Sequence, residues 1–161
     1  VILVEPKDGY PSDAQIDREY VLVQSEWYKE RDFHSFLNEE PEYVLFNGND
    51  FGLKKNPLTA RVGDTVRIRV LNAGPNEVSS FHVVGTTFDR VYIDGNPNNE
   101  LNGLQTVMLP ASGGAVVEFR VLEEGDYPIV THQFNHATKG AVAILRVTAD
   151  GRDTGQPAMG H

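Results

Sequence analysis

Cysteine is absent from this 161-residue chain. That excludes disulfides, thiolate zinc sites, iron–sulfur clusters and a cysteine nucleophile among its own residues. Compartment stays open, because exported proteins need not carry disulfides. Basic charge is scarce as well: 14 Lys and Arg stand against 23 Asp and Glu, a formal net charge of −9. Such a surface repels nucleic acid and anionic membranes alike, so neither is an expected partner. No apolar run approaches the length of a membrane span. Sustained helical periodicity is missing, no serine sits in a nucleophile elbow, and Gly113-Gly114 reads as a simple turn rather than a phosphate cradle. The opening Val1-Ile2-Leu3-Val4 has neither the basic start nor the cleavage site of a signal peptide, and there is no initiator Met. An excised piece of something longer is expected, or a matured chain whose leader ended before Val1.

What is present is β signal on a scale that suits one domain with a substantial core. Hydrophobic residues make up 40% and charged residues 23%, with 15 Gly and 9 Pro, the balance of a globular β-rich protein. Val1 to Val4 reads as a strand closed by Glu5-Pro6, and residues 7–17 as a linker of scattered charge. Residues 19–28 alternate and are aromatic-rich, which predicts a strand. A short helical turn is expected at residues 33–37 and a short strand at 43–46, ended by Asn47-Gly48. From there a β meander is predicted. Residues 58–62 run into Gly63-Asp64, a hairpin signal, and residues 65–72 follow with Val66, Ile68 and Val70 inward and Arg67 and Arg69 outward. Further strands are expected at 80–84, 90–93, 105–109, 115–122, 125–130 and 141–148. Many short strands between Gly, Pro and Asn turns mean an all-β Greek-key barrel or sandwich.

The run Thr131-His132-Gln133-Phe134-Asn135-His136-Ala137-Thr138-Lys139-Gly140-Ala141 carries most of the functional information. A blue-copper (type 1) site needs a soft thiolate, imidazoles and often a weak axial thioether. Domains that carry one take Cys, His and Met in that order from a single loop between their last two strands. Here His132 and His136 are four apart and Gly140 precedes the axial position, but Thr131 stands where the thiolate belongs and Ala141 where the thioether belongs. The segment reads as a copper loop without copper of its own. Its histidines remain available to a copper held jointly with another polypeptide surface. Together His132 and His136 offer two imidazoles, short of the four ligands of a stable zinc site.

Several pieces, in this order, resemble the cupredoxin family, specifically the second domain of two-domain copper nitrite reductases and related multicopper oxidases. They are Tyr43-Val44-Leu45-Phe46-Asn47-Gly48, Val62-Gly63-Asp64-Thr65-Val66-Arg67, Phe81-His82-Val83-Val84-Gly85, Gln105-Thr106-Val107 and Tyr127-Pro128-Ile129-Val130-Thr131-His132. The resemblance implies that residues 1–18 end a preceding domain and form a linker, and that 19–149 are a cupredoxin-like domain. Residues 150–161, polar and glycine-rich, would be a flexible tail. It further implies a preceding domain with type 1 copper, a homotrimer, nitrite as substrate and a periplasmic or extracellular location. The catalytic type 2 copper would be shared between subunits, with His132 at the position of the one ligand supplied by the second domain. His82 matches the family's active-site histidine of that domain, and Gln105 and Thr106 the residues that support it. Thr131, His136 and Ala141 would be the remnant of the type 1 loop.

Each residue also has a plainer reading. His132 as a core-edge histidine would be satisfied by backbone groups, His82 would be structural on its strand, and His136 would be a packing or surface residue. His34 in a charged loop and His161 at the terminus carry no assigned role. The cluster Glu39-Glu40-Pro41-Glu42 reads as a solvated loop, and Asp89 and Asp94 as turn caps. Two rival functions stand beside nitrite reduction. One is a laccase-like oxidase, whose trinuclear cluster usually needs the His-X-His pairs this chain lacks. The other is a copper-free cupredoxin used for assembly or binding.

Overall fold

Period-two alternation becomes ladder wherever Gly, Pro or Asn punctuates it. The computed structural model describes residues 2–29, 33–49, 51–153 and 155. Its elements are β1 (Arg18–Trp27), α1 (Phe33–Leu37), β2 (Tyr43–Phe46), α2 (Gly52–Lys55), β3 (Leu58–Arg61), β4 (Thr65–Asn72), β5 (Ser79–Val83), β6 (Phe88–Ile93), β7 (Glu100–Leu104), β8 (Thr106–Leu109), β9 (Gly114–Arg120), β10 (Gly125–Thr131), α3 (Phe134–Thr138) and β11 (Val142–Thr148). One sheet runs β2-β1-β4-β9-β6-β7 and the other β3-β11-β10-β5-β8. Strand holds 46% and helix 11%, so the all-β sandwich expected from the sequence stands.

The core lies between the sheets. Val66, Ile68 and Val70 of β4 face Phe81 and Val83 of β5, with Val117 and Phe119 of β9 and Leu145 and Val147 of β11 in the same cluster. Phe81 stacks on Phe88 at 6.2 Å and meets Phe46 edge-on at 6.3 Å. Each such ring buries enough apolar surface to stabilise the fold by roughly 1.5–3 kcal/mol.

The meander expectation fails at the Gly63-Asp64 turn. β3 pairs in parallel with β11, whereas β4 pairs in parallel with β1 and antiparallel with β9. The turn therefore hands the chain from one sheet to the other. Its amides join both layers: Val62 donates to Thr148 O at 3.2 Å and Gly63, at φ 92°, donates to Val121 O at 2.7 Å. A hairpin would have put both strands in one layer, but Ala60 and Val66 close the core from opposite sides.

Arg67 and Arg69 do point away from the core, yet they are only 2% and 5% exposed. The segment expected to be a linker covers them. Arg67 pairs with Glu118 at 2.7 Å and Asp13 at 2.6 Å, and Arg69 pairs with Glu5 at 2.8 Å and with Glu19. Tyr10 lies over both guanidinium groups, at 4.7 and 5.4 Å from its ring centre. Ser12 Oγ donates to Glu118 Oε1 at 2.8 Å, and a 3-10 turn follows at Asp13–Gln15. Of the scattered charge of residues 7–17, Asp13 is a partner of the buried Arg67, while Glu5 and Glu19 on either side of the segment pair with Arg69. Ahead of it, Ile2 to Val4 are extended and exposed, without the ladder that the sequence reading expected; Val1 lies outside the described residues. A strand needs a ladder partner, and β1 and β4 beside these residues already pair with each other and with β2 and β9.

Of the expected tail, residues 150–153 and 155 are described. They fold back on β11, with Asp153 at 2.7 Å from Arg146 and Thr148 Oγ1 donating to Arg152 O at 3.2 Å. The other residues of that expectation lie outside the described set.

Arg67→Ala should cost about 3–5 kcal/mol, because it leaves Glu118 charged and buried without its main partner. The check is a urea midpoint that falls at unchanged slope. Burial alone would raise the Asp13 carboxyl, but the Tyr10 amide and the Arg67 guanidinium outweigh it and hold it below its ordinary value. A depressed carboxylate adds stability above its unfolded value, about pH 4, and loses it as pH falls through the lower folded value. Asp13→Asn should therefore flatten part of the acid limb of the stability curve and leave the neutral limb shallow.

Candidate functional site

Register fixes which side chains reach the outer face of the second sheet. β5 pairs with β10 through Val130↔His82 and Thr131↔Phe81, and with β8 through His82↔Thr106. Side chains alternate across a strand. Phe81, Val83, Ile129 and Thr131 therefore face inward, all at 0% exposure. His82, Thr106 and Val130 form a row on the other side. His132 comes one residue after β10, its N–H donating to Ser80 O at 2.7 Å. The two imidazoles consequently stand side by side, with ring centres 5.6 Å apart and planes tilted by 53°.

His132 is exposed and its ring also sits 6.1 Å from that of Phe134. Among the described residues its ring makes no hydrogen bond; only its backbone is engaged. The reading of His132 as a histidine satisfied by backbone groups does not describe this ring. His82 is half-buried, and its Nδ1 lies 2.5 Å from Gln105 O. A carbonyl can only accept, so Nδ1 carries the hydrogen and Nε2 is the ring nitrogen outside this contact. Thr106 Oγ1 approaches the same Nδ1 at 3.4 Å. Gln105, through its main chain and not its side chain, and Thr106 thus both lie against His82.

The loop that starts at Thr131 and ends at Ala141 is closed at both ends. Thr131 and Ala141 are fully buried, and Thr131 Oγ1 accepts from Ser80 N–H at 3.1 Å. His136 is 1% exposed on α3, with Nε2 3.4 Å from Glu77 Oε1 and no partner for Nδ1. It is buried, and so not a surface residue. The histidine beside His132 is His82 and not His136, and no motif marked Glu77 as the partner of His136. Asp94 sits in a left-handed turn at φ 55°, as a turn residue would, whereas Asp89 lies within β6 and accepts from Arg120 N–H of the neighbouring β9 at 3.1 Å, across the sheet and not at a turn. His34 lies on α1, away from these contacts, and His161 is outside the described residues.

The donor set decides which metal chemistry fits. A hydroxyl already in a hydrogen bond and a methyl group offer copper no soft ligand, so Thr131, His136 and Ala141 do not fit a blue-copper centre. Among the described residues no group of three or more His, Cys, Asp or Glu could hold a metal ion. His132, exposed and unbonded at its ring, fits one position in a site completed by residues from elsewhere. No helix of the described residues is long and apolar enough to cross a membrane.

The protein-family model described as multicopper oxidase matches residues 24–151. A copper-containing nitrite reductase of Neisseria meningitidis is 42% identical over 159 residues, covering 91% of this chain and 40% of the relative. Among solved structures, the copper-containing nitrite reductase from Thermus scotoductus SA-01 superposes with a TM-score of 0.88 at 38% identity, covering 99% of this chain and 40% of that one. The copper nitrite reductase from Nitrosomonas europaea gives 0.80 at 34% identity, over 93% of this chain and 55% of that one. The chain spans about two fifths of the length of the curated relative.

Copper(II) added to the pure chain should produce no intense blue band, because that transition requires a thiolate; an absorption titration checks it. Nitrogen-15 NMR should show neutral His82 protonated at Nδ1, as its contact with Gln105 O demands.

Proposed function

The chain belongs to the multicopper oxidase family, and we propose that it is the C-terminal cupredoxin domain of a copper nitrite reductase, which converts nitrite to nitric oxide. One observation carries the reading: an exposed, unbonded His132 stands beside His82 on the outer face of β5 and β10, in a chain 42% identical to a copper-containing nitrite reductase. In this reading residues 1–18 end the preceding domain and lead into residues 19–149, and residues 150–161 form the C-terminal tail. The partner is an N-terminal cupredoxin domain with type 1 copper, the assembly is a homotrimer, and its location is periplasmic or extracellular.

His132 would be this chain's ligand to a type 2 copper shared with a neighbouring subunit. Bound there, copper would supply Lewis acidity toward nitrite and a route for the electron. This chain's own residues handle position and protons. The backbone bond from His132 to Ser80 fixes where the imidazole leaves the sheet. The Gln105 carbonyl locks the His82 tautomer, so Nε2 faces away from its support and can hold or pass a proton to bound substrate. Nitrite yields nitric oxide and water only if protons arrive with the electron, and histidine changes charge in the physiological range. A laccase-like cluster is disfavoured by the missing His-X-His pairs. A copper-free binding domain would give the exposed His132 ring no task.

In the intact enzyme, His132→Ala should remove type 2 copper and leave type 1 copper in place, since the latter draws no ligand from this chain. His82→Ala should keep the metal and lower turnover by ~10²–10⁴, the usual scale for losing a general acid–base. Copper analysis and nitrite turnover on both variants decide between them. Full type 2 occupancy in His132→Ala would reject the assignment. The metal-loaded chain without its partner domain should produce no nitric oxide.

A further inference from the structure

Among the described residues, buried polar side-chain atoms without a partner are few, and two of them sit together in sequence: Gln133 Oε1 and His136 Nδ1. Both belong to the turn that follows His132. An apolar residue would fill the His136 position without stranding a ring nitrogen, so packing alone does not account for an imidazole there. What the imidazole adds is its contact with Glu77, 3.4 Å from Nε2.

Glu77 is itself held from both sides of its backbone. Its N–H donates to Glu26 Oε1 at 2.8 Å, and its carbonyl accepts from Asn72 Nδ2 at 2.8 Å. Asn72 is fully buried and also donates from Nδ2 to Leu109 O and Pro110 O, each at 3.2 Å. The β4–β5 connection is thereby tied to the end of β8 and to β1. Through Glu77 and His136 that rigid group reaches α3. On the near side of His132, Thr131 and Ser80 make the bonds already described; on the far side, Lys139 O accepts from Val44 N–H at 3.3 Å and Lys139 Nζ donates to Pro41 O at 2.7 Å. The segment between Thr131 and Lys139 has its middle fastened at His136.

We propose that His136 and Glu77 are positioning residues for His132: their buried contact clamps α3 to the β4–β5 connection and so fixes the direction in which the His132 ring leaves the sheet. A metal ion bound in such a loop would tie it to a neighbouring strand connection; here a buried imidazole–carboxylate contact does so. The inference rests on the reading of His132 as a ligand only for its consequence, not for its test.

The test is a double-mutant cycle in the metal-free chain, with Glu77→Ala, His136→Ala and the pair, followed by amide hydrogen exchange and the His132 ring signals in NMR. Each single variant should speed exchange across residues 132–140 by at least about tenfold and broaden or shift the His132 ring, while amides of β4 and β9 keep their protection. The pair should be no looser than either single variant. Unchanged exchange in the loop overturns the proposal. So does a loss shared evenly with β4 and β9, which would mark a merely global effect, or additive effects in the pair. Because no copper is present, this outcome is independent of the copper content of His132→Ala, and the two readings can fail separately.

Discussion

The candidate site depends on the register between β5 and β10. In a strand the side-chain period is two, so a slip of one residue would turn Phe81 and Ile129 to solvent and drive His82 into the core. The core prevents that slip, because Phe81 stacks on Phe88, which in turn lies against Phe119. The same register aligns Ser80 with the end of β10, where its carbonyl takes the His132 amide and its amide meets Thr131 Oγ1. An apolar constraint on one face of the sheet thus sets the placement of two imidazoles on the other. The histidines need no packing of their own to be positioned, which leaves the His132 ring open.

The loop after β10 is filled by groups that satisfy themselves. Thr131 spends its oxygen on the Ser80 amide, and Ala141 is enclosed by the core. His136 does not fit that pattern. It keeps a polar ring in a site that would accept an apolar side chain more cheaply, and its one close polar contact is the carboxylate of Glu77, a residue whose backbone N–H and C=O are each held by a hydrogen bond.

How much of this was legible depends on whether the signal was local. Period-two runs announced β1, β4 and β9, and the aromatic-charged stretch before Pro41 announced the turn at Phe33–Leu37. His82, Gln105, Thr106 and His132 were found by motif, and the structure brings His82 into contact with the other three. Short or exposed elements were missed: α3 has five residues, too few for a helical period, and β7 is an edge strand with no buried residue, so it does not alternate. Pairing was not legible either, since the hairpin signal at Gly63-Asp64 is the same whether the chain reverses in its own sheet or crosses to the other. Nor was burial of Arg67 and Arg69, because their partners Asp13, Glu5 and Glu118 are remote in sequence. Glu77 carried no motif at all.

The two outer faces of the sandwich are treated in opposite ways. On the first sheet, charge is sealed under the chain's own strap, and the cost of desolvating Arg67 and Glu118 is offset by Asp13, Ser12 and the Tyr10 ring. A buried pair of this kind is weak support for stability; what it ties down here is the strap, through Asp13, Ser12 and Tyr10. On the second sheet, His132 is exposed and His82 half-buried among the described residues, and Met108 and Phe134 beside them remain 70% and 68% exposed. A surface that combines exposed apolar groups with an open imidazole is poorly matched to water and well matched to another polypeptide. In the proposed assembly, the strap gives the preceding segment a defined approach to the first face, and the second face is left for the neighbour that completes the metal site.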